Sequence, residues 1–134
     1  MNIRIGTDIV YIPRIKSALE RFGDRFLERV YTSTEQQDCW QPFADRAIAS
    51  GIAKLAGRWA AKEAIVKALG TGWRDIRYVD VEIQRTANGA PQVCLHRRAA
   101  VIAAQQGNGQ WQLSLSHDTD YAIATAIFFS HPSG

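Results

Sequence analysis

Four residues in this chain have types and spacings that suit chemistry on a charged substrate. Glu63 and Lys67 lie four apart in GRWAAKEAIVKALGTG, residues 57 to 72, an alanine-rich stretch with the period of a buried helix. Placed at about 100° per residue, they share one face, in the seam between a stripe of large apolar side chains and a stripe of small ones. An ionised group in such a seam must be paired or must coordinate something. One option is an i, i+4 ion pair, which contributes only a few tenths of a kcal/mol on a surface helix, about 0.2–0.5. The other is that Glu63 holds a hard cation and Lys67, one turn on, holds an anion that the cation also binds. Magnesium is usually held by one or two protein carboxylates plus phosphate oxygens, so a second carboxylate is expected elsewhere. Asp8 is the best candidate, two residues after Gly6, where a close backbone approach is permitted. His117, in LSLSHD at 113 to 118, adds a group that titrates near neutrality and suits a base or a phosphate donor.

The elements that must position these residues follow from periodicity. NIRIGTDIV alternates, with Ile3, Ile5 and Ile9 on one face and Arg4, Gly6 and Asp8 on the other, and predicts a strand. Ile12, Ile15, Leu19, Phe22, Phe26 and Val30 recur at helical spacing after Pro13, with Gly23 a weak point or break. Thr32 to Glu35 resembles a capping box opening a short helix, which Pro42 ends or interrupts. A long helix then runs from about Arg46 to Leu69 and stops at Gly70-Thr71-Gly72. Its large stripe is Ile52, Leu55, Trp59, Val66 and Leu69. Its small stripe is Ala53, Gly57, Ala60, Ala61, Ala64 and Ala68, which lets another backbone approach closely.

The second half changes period. Tyr78 to Arg85 and Pro91 to Arg97 predict a hairpin, Arg97 to Gln106 a modest helix, and QWQLSLSH with YAIATAIFF a second hairpin turning at Asp118-Thr119-Asp120. Strand parity places His117 with Trp111, Leu113 and Leu115, and turns Ser114 and Ser116 the other way. Ser130 to Gly134 reads as a frayed tail. The expectation is an α+β fold, a mainly antiparallel sheet packed with a long central helix, in a single domain over 1–134.

Composition sets the bounds. At 134 residues, 46% hydrophobic and 22% charged, the chain suits one domain with a real core. Two cysteines, Cys39 and Cys94, suggest neither a disulfide framework nor a zinc site and read as inert core thiols. His96 and His131 receive no role. No signal-peptide core is present, and no run approaches the roughly 20 apolar residues of a membrane span, so the expected setting is cytoplasmic, without a membrane partner. A net charge of +3 favours an acidic partner.

GTDIVYIPRI at 6 to 15, GRWAAKEAIVKALGTG at 57 to 72 and LSLSHD at 113 to 118 together resemble the signatures of the holo-acyl-carrier-protein synthases, small bacterial phosphopantetheinyl transferases. Order, spacing and length all match, and the middle motif is the specific one. The resemblance implies that the 4'-phosphopantetheine arm of coenzyme A moves to a serine of apo acyl carrier protein, releasing adenosine 3',5'-bisphosphate. It implies Mg²⁺ on Asp8 and Glu63, with Lys67 on phosphate and the leaving group. Glu63 and His117 remain alternative bases. Gly70 and Gly72 would let the backbone pass near the nucleotide, Pro91 would lie near the adenine, and Ser116 with His117 would complete the coenzyme contacts. Trp59 stands where the family often has phenylalanine and Asp118 where glutamate is common, and residues 41 to 55 are poorly patterned against it.

The resemblance also implies a carrier-protein partner and a homotrimer with active sites between protomers. Independently, Arg14, Arg21, Arg25 and Arg29 fall within about 80° of one another if placed on one continuous helix, a basic stripe suited to an acidic protein. Nucleic acid is not expected, because no aromatic interleaving accompanies the stripe. Two other classes suit parts of the pattern: a non-catalytic module binding an acidic protein or nucleic acid, and a different Mg²⁺-dependent nucleotide transferase.

Overall fold

The chain was analysed as a computed structural model that describes residues 1–40, 45–107 and 109–131, with backbone alone for 45–47. The predicted end of a helix at Pro42 lies outside the described residues. In order, the elements are β1 (Asn2–Tyr11), α1 (Ile12–Phe22), α2 (Asp24–Val30), α3 (Ser33–Cys39), α4 (Asp45–Leu69), β2 (Val81–Arg85), β3 (Pro91–Leu95), α5 (Arg97–Gln105), β4 (Gly109–His117) and β5 (Tyr121–Ser130). The strands form two antiparallel sheets, β1-β5-β4 and β2-β3. This is the expected α+β arrangement around a long helix.

Local chemistry sets the helix ends. Pro13 sits in the first turn of α1. Gly23, at φ 56°, ends it and donates its N–H to Leu19 O at 2.8 Å before α2 begins. The apolar period across 12 to 30 therefore belongs to two helices rather than one, because this left-handed φ breaks the ladder. At α3 the capping box is present: Thr32 Oγ1 accepts from Glu35 N at 3.2 Å, and Glu35 Oε1 accepts from Thr32 N at 3.0 Å. The first predicted hairpin starts later than its alternation suggested, since Tyr78–Asp80 is a 3₁₀ turn. Ser130 is no frayed end: it belongs to β5, is buried, and donates to Gln106 O.

α4 is buried on most sides. Its alanines meet β1 so closely that a Cβ on Gly6 would lie 1.9 Å from Ala64 O and 2.7 Å from Ala68 N. Only glycine permits that contact. On β5, Ala122, Ala124 and Ala126 are fully buried against the same helix, so small residues on both elements set a short separation.

The face of β1 that packs inward is the one carrying Gly6, Asp8 and Val10, in register with Ala126, Ala124 and Ala122. The isoleucine face points away from α4: Ile3, Ile5 and Ile9 are more than 60% exposed.

Lys62 is wholly buried and saturates its ammonium. It donates to Glu35 Oε1 at 2.8 Å, Val81 O at 2.6 Å and Tyr78 O at 3.0 Å, while Glu35 Oε2 accepts from Ile83 N at 2.9 Å. Burial pushes the Lys62 pKa down, and the charge of Glu35 opposes that shift. Removing one partner of such a pair leaves an uncompensated buried charge, at a cost of about 3–5 kcal/mol. Lys62→Met is expected to lower unfolding free energy by that amount in urea titrations, and adding Glu35→Gln to recover part of it. A single variant as stable as the parent would remove the pair from the account of this fold.

Candidate active site

Where β1 crosses the C-terminal half of α4, the sheet delivers Asp8 to the helix. Lys67 Nζ donates to Asp8 Oδ1 at 3.1 Å and to the carbonyl of Thr7 at 2.9 Å. Asp8 is mostly covered while Lys67 remains over half exposed, so this pair borders solvent.

Glu63, one turn back on α4, is clamped from the other side. Its Oε2 accepts from Trp73 Nε1 at 3.1 Å and its Oε1 from Tyr78 Oη at 3.3 Å. Those rings are held in turn by stacking, Trp73 on Tyr78 at 4.0 Å and Tyr78 on Trp59 at 4.9 Å between centroids. Burial first, then the Glu63 charge and hydrogen bond, push the Tyr78 pKa up to about 12, with Asp8 adding to the shift. Tyr78 is therefore a neutral donor near pH 7 that orients Glu63. β1 thus brings Asp8 to Lys67, one helical turn from the clamped Glu63. All the carboxylate donors are hard oxygens, and Asp8 Oδ2 has no hydrogen-bond partner among the described residues, which leaves it free for a cation.

His117 lies elsewhere. It ends β4 at the level of Ala122 and Val10, whereas Asp8 is level with Ala124 and Leu115. Two strand spacings separate the backbones of His117 and Asp8 by about 10 Å across the sheet, with a further ~7 Å offset along it. His117 is exposed and borders an 860 Å³ cleft with Ile12, Lys16, Ile52, Lys54 and Thr119. Ser116 faces the opposite side of the sheet, in register with Ile123. Pro91 opens β3 and lines a separate 340 Å³ cleft with Gly89, Arg85, Leu113, Ser114 and Arg58. Gly70 and Gly72 sit at φ 79° and 63°, and Gly70 N–H caps α4 on Val66 O at 3.0 Å. Asp8 therefore contacts Lys67, one turn from Glu63 on α4, while Pro91, Ser116 and His117 of the same chain do not join them.

The arginines are exposed, but the break at Gly23 divides the predicted stripe: Arg14 and Arg21 belong to α1, Arg25 and Arg29 to α2. A single helical wheel does not describe them. Arg25 and Arg29 rim a 550 Å³ groove floored by Phe22, Phe26, Trp59 and Tyr78, and so it runs to the ring that holds Glu63.

Residues 4–126 match the family model of the 4'-phosphopantetheinyl transferase superfamily. The chain belongs to that superfamily. Within it, the transferase is an enzyme of the holo-[acyl-carrier-protein] synthase kind. It is 53% identical over 122 residues to the holo-[acyl-carrier-protein] synthase of Gloeobacter violaceus, covering 91% of this chain and 89% of that one. Its structure matches the holo-[acyl-carrier-protein] synthase of Neisseria meningitidis at a TM-score of 0.81 and 32% identity, over 95% of this chain and 98% of that one. It also matches the Helicobacter pylori enzyme solved in complex with coenzyme A, at 0.76 and 32%, over 93% and 99%. A non-catalytic binding module is thereby set aside. No helix among the described residues is long and apolar enough to cross a membrane.

Several residues of the transferase's site escaped the sequence reading. Trp73 and Tyr78 follow the glycine cap of α4, and the signal was available: a chain reversing at Gly70-Thr71-Gly72 runs back along the helix past Glu63. Arg58 left a weaker trace, one turn before Lys62. Its guanidinium is buried, 3.8 Å from Asp38, yet Nε and Nη2 have no hydrogen-bond partner among the described residues. Arg58 also contributes to the lining of the cleft with Pro91, where a guanidinium with two unpartnered buried N–H groups stands beside the long contact to Asp38.

Proposed function

We propose that this transferase moves the 4'-phosphopantetheine arm of coenzyme A to a serine hydroxyl of apo acyl carrier protein, with Mg²⁺ held by Asp8 and Glu63, and releases adenosine 3',5'-bisphosphate. The supporting observation is the contact of Asp8 with Lys67 where β1 crosses α4, one helical turn from the clamped Glu63. In the reaction a pyrophosphate P–O bond breaks, a P–O bond to serine forms, the serine proton passes to a base, and the bisphosphate leaves with the added negative charge. Mg²⁺, when bound, would neutralise the pyrophosphate oxygens. Phosphoryl transfer relies mainly on positioning and charge stabilisation, which this chain's residues are arranged to supply. Tyr78 and Trp73 hold Glu63 in one orientation, and Lys67 offers an exposed ammonium beside Asp8 to the phosphate and leaving group. Glu63 and His117 remain the two candidate bases, on different parts of the chain. Glycines 70 and 72, Pro91, Ser116 and the orphaned N–H groups of Arg58 form the coenzyme-binding set in this reading. Reduced Cys39 and Cys94 suit the cytoplasm as its setting.

A homotrimer with shared active sites is part of this reading, and two observations support assembly of copies of the chain. The outer face of the three-stranded sheet exposes Ile3, Ile5, Ile9 and Ile123 together, with the Tyr11 and Tyr121 rings 5.3 Å apart beside them. A contiguous apolar face of this kind needs cover. Second, His117 lies too far from Asp8 in its own chain, so a site using both groups draws them from neighbouring copies.

The carrier protein would dock on Arg14, Arg21 and Arg25, with its apolar side chains in the groove floored by Phe26 and Trp59. That seat directs the serine toward Glu63.

Intact-mass analysis of an apo carrier protein with coenzyme A and Mg²⁺ should show a gain of one phosphopantetheine arm. The gain should vanish with chelator, and kcat should fall by about 10²-fold or more in Asp8→Ala and Glu63→Ala. Unchanged turnover in either variant would remove the metal assignment. Charge reversal at Arg21 and Arg25 should raise KM for the carrier about tenfold with little change in kcat, and added salt should shrink that difference. In light scattering the parent should have the mass of three chains and Ile5→Asp that of one; an active monomeric parent would refute shared sites.

A further inference from the structure

The β2–β3 hairpin carries a cluster that the transfer reaction does not use. We propose that Glu82, Cys94 and His96 form a second metal site, for a borderline-soft divalent cation of the zinc type. Glu82 and Cys94 are direct cross-strand partners, and His96 stands two residues beyond Cys94, so all three side chains leave the same side of the pleat. The ladder continues to that point, since His96 N–H donates to Asp80 O at 2.8 Å. One donor atom from each residue lies within 4.8 Å of the others, and the Glu82 Oε1 to His96 Nε2 separation is 3.0 Å. Zinc bonds of about 2.0–2.3 Å in a tetrahedron put ligands roughly 3.5 Å apart, so side-chain rotations of about an ångström close the site.

The donor set selects the class of ion. A thiolate, an imidazole and a carboxylate suit zinc or cobalt and are poor ligands for Mg²⁺, whereas Asp8 and Glu63 offer only oxygens. The cluster is also supported from outside, as metal ligands usually are. Glu82 Oε2 accepts from Thr32 Oγ1 at 2.5 Å and its Oε1 from Gln84 Nε2 at 3.0 Å, which fixes the carboxylate from two sides. Glu82 is nearly covered, with 6% of its side chain exposed, while 40% of His96 remains open as an entry. A histidine–glutamate hydrogen bond alone would have no need of a thiol, and the Cys94 sulfur makes no hydrogen bond among the described residues. Three protein ligands leave the fourth position to water.

On binding, the Cys94 thiol proton is released, the sulfur–metal bond forms, and His96 exchanges its contact with Glu82 for the metal. Because Thr32 caps α3, the ion would fasten the hairpin carrying Pro91 to that helix through Glu82. The inert role read for Cys94, and the absence of any for His96, would both be revised; Cys39, buried in the core, keeps its reading.

The experiment is a cobalt(II) titration of the metal-stripped full chain in excess Mg²⁺. A thiolate-to-cobalt charge-transfer band saturating at one ion per chain, displaced by zinc, is expected. Cys94→Ser should abolish the band, His96→Ala should weaken zinc binding at least about tenfold, and Cys39→Ala should leave both unchanged. In the unaltered chain, zinc should slow alkylation of Cys94 at least about tenfold, a readout independent of any variant's folding. No band, a band surviving Cys94→Ser, or alkylation indifferent to zinc would each overturn the proposal.

Discussion

The buried contact between Lys62 and Glu35 is the constraint on which the rest of this structure depends. One ammonium and one carboxylate, both without solvent, join α4, α3, the 3₁₀ turn and β2 through hydrogen bonds to Tyr78 O, Val81 O and Ile83 N. Neither charge can be left alone in the core, so the four segments can satisfy them only in one relative placement. That placement brings Tyr78 onto Trp59 and Trp73, and so sets where Glu63 points. A core network thereby determines an orientation at the edge of the site, although Lys62 itself is not exposed to any substrate.

The second constraint is steric. Gly6 against the backbone of α4 allows β1 to lie closer to the helix than any side chain would permit, and this approach carries Asp8 to Lys67. The alanines of α4 and β5 serve the same end. Charged groups are thus assembled by the smallest residues of the chain, because small residues fix the distance between rigid elements.

A consequence is the unusual use of the sheet. Where it meets α4, its inner face carries Gly6, Asp8 and the alanines of β5 beside larger core side chains such as Val10 and Phe128, and its outer face holds the exposed isoleucines. The apolar area an isolated chain would normally bury lies where another copy can cover it. The same arrangement leaves His117 and Pro91 on surfaces away from Asp8.

What the sequence determined by itself is what short-range rules govern. The capping box at Thr32, the extent and glycine cap of α4, the two hairpins and the facing of Ser116 away from Leu115 all follow from periods and caps set within a few residues. The placement of Glu63 and Lys67 on one helix face was legible for the same reason, and Gly6, two residues before Asp8, marked where the strand could approach another element closely. Tertiary structure decided the rest. A wheel drawn through Gly23 could not register one left-handed φ that divides the arginines between two helices. Alternation along β1 separates two faces but carries no information on which one meets α4. The company kept by Lys62, the clamp on Glu63, the orphaned guanidinium of Arg58 and the gathering of Glu82, Cys94 and His96 each depend on contacts between distant segments, or across a hairpin, whose distances no local pattern encodes.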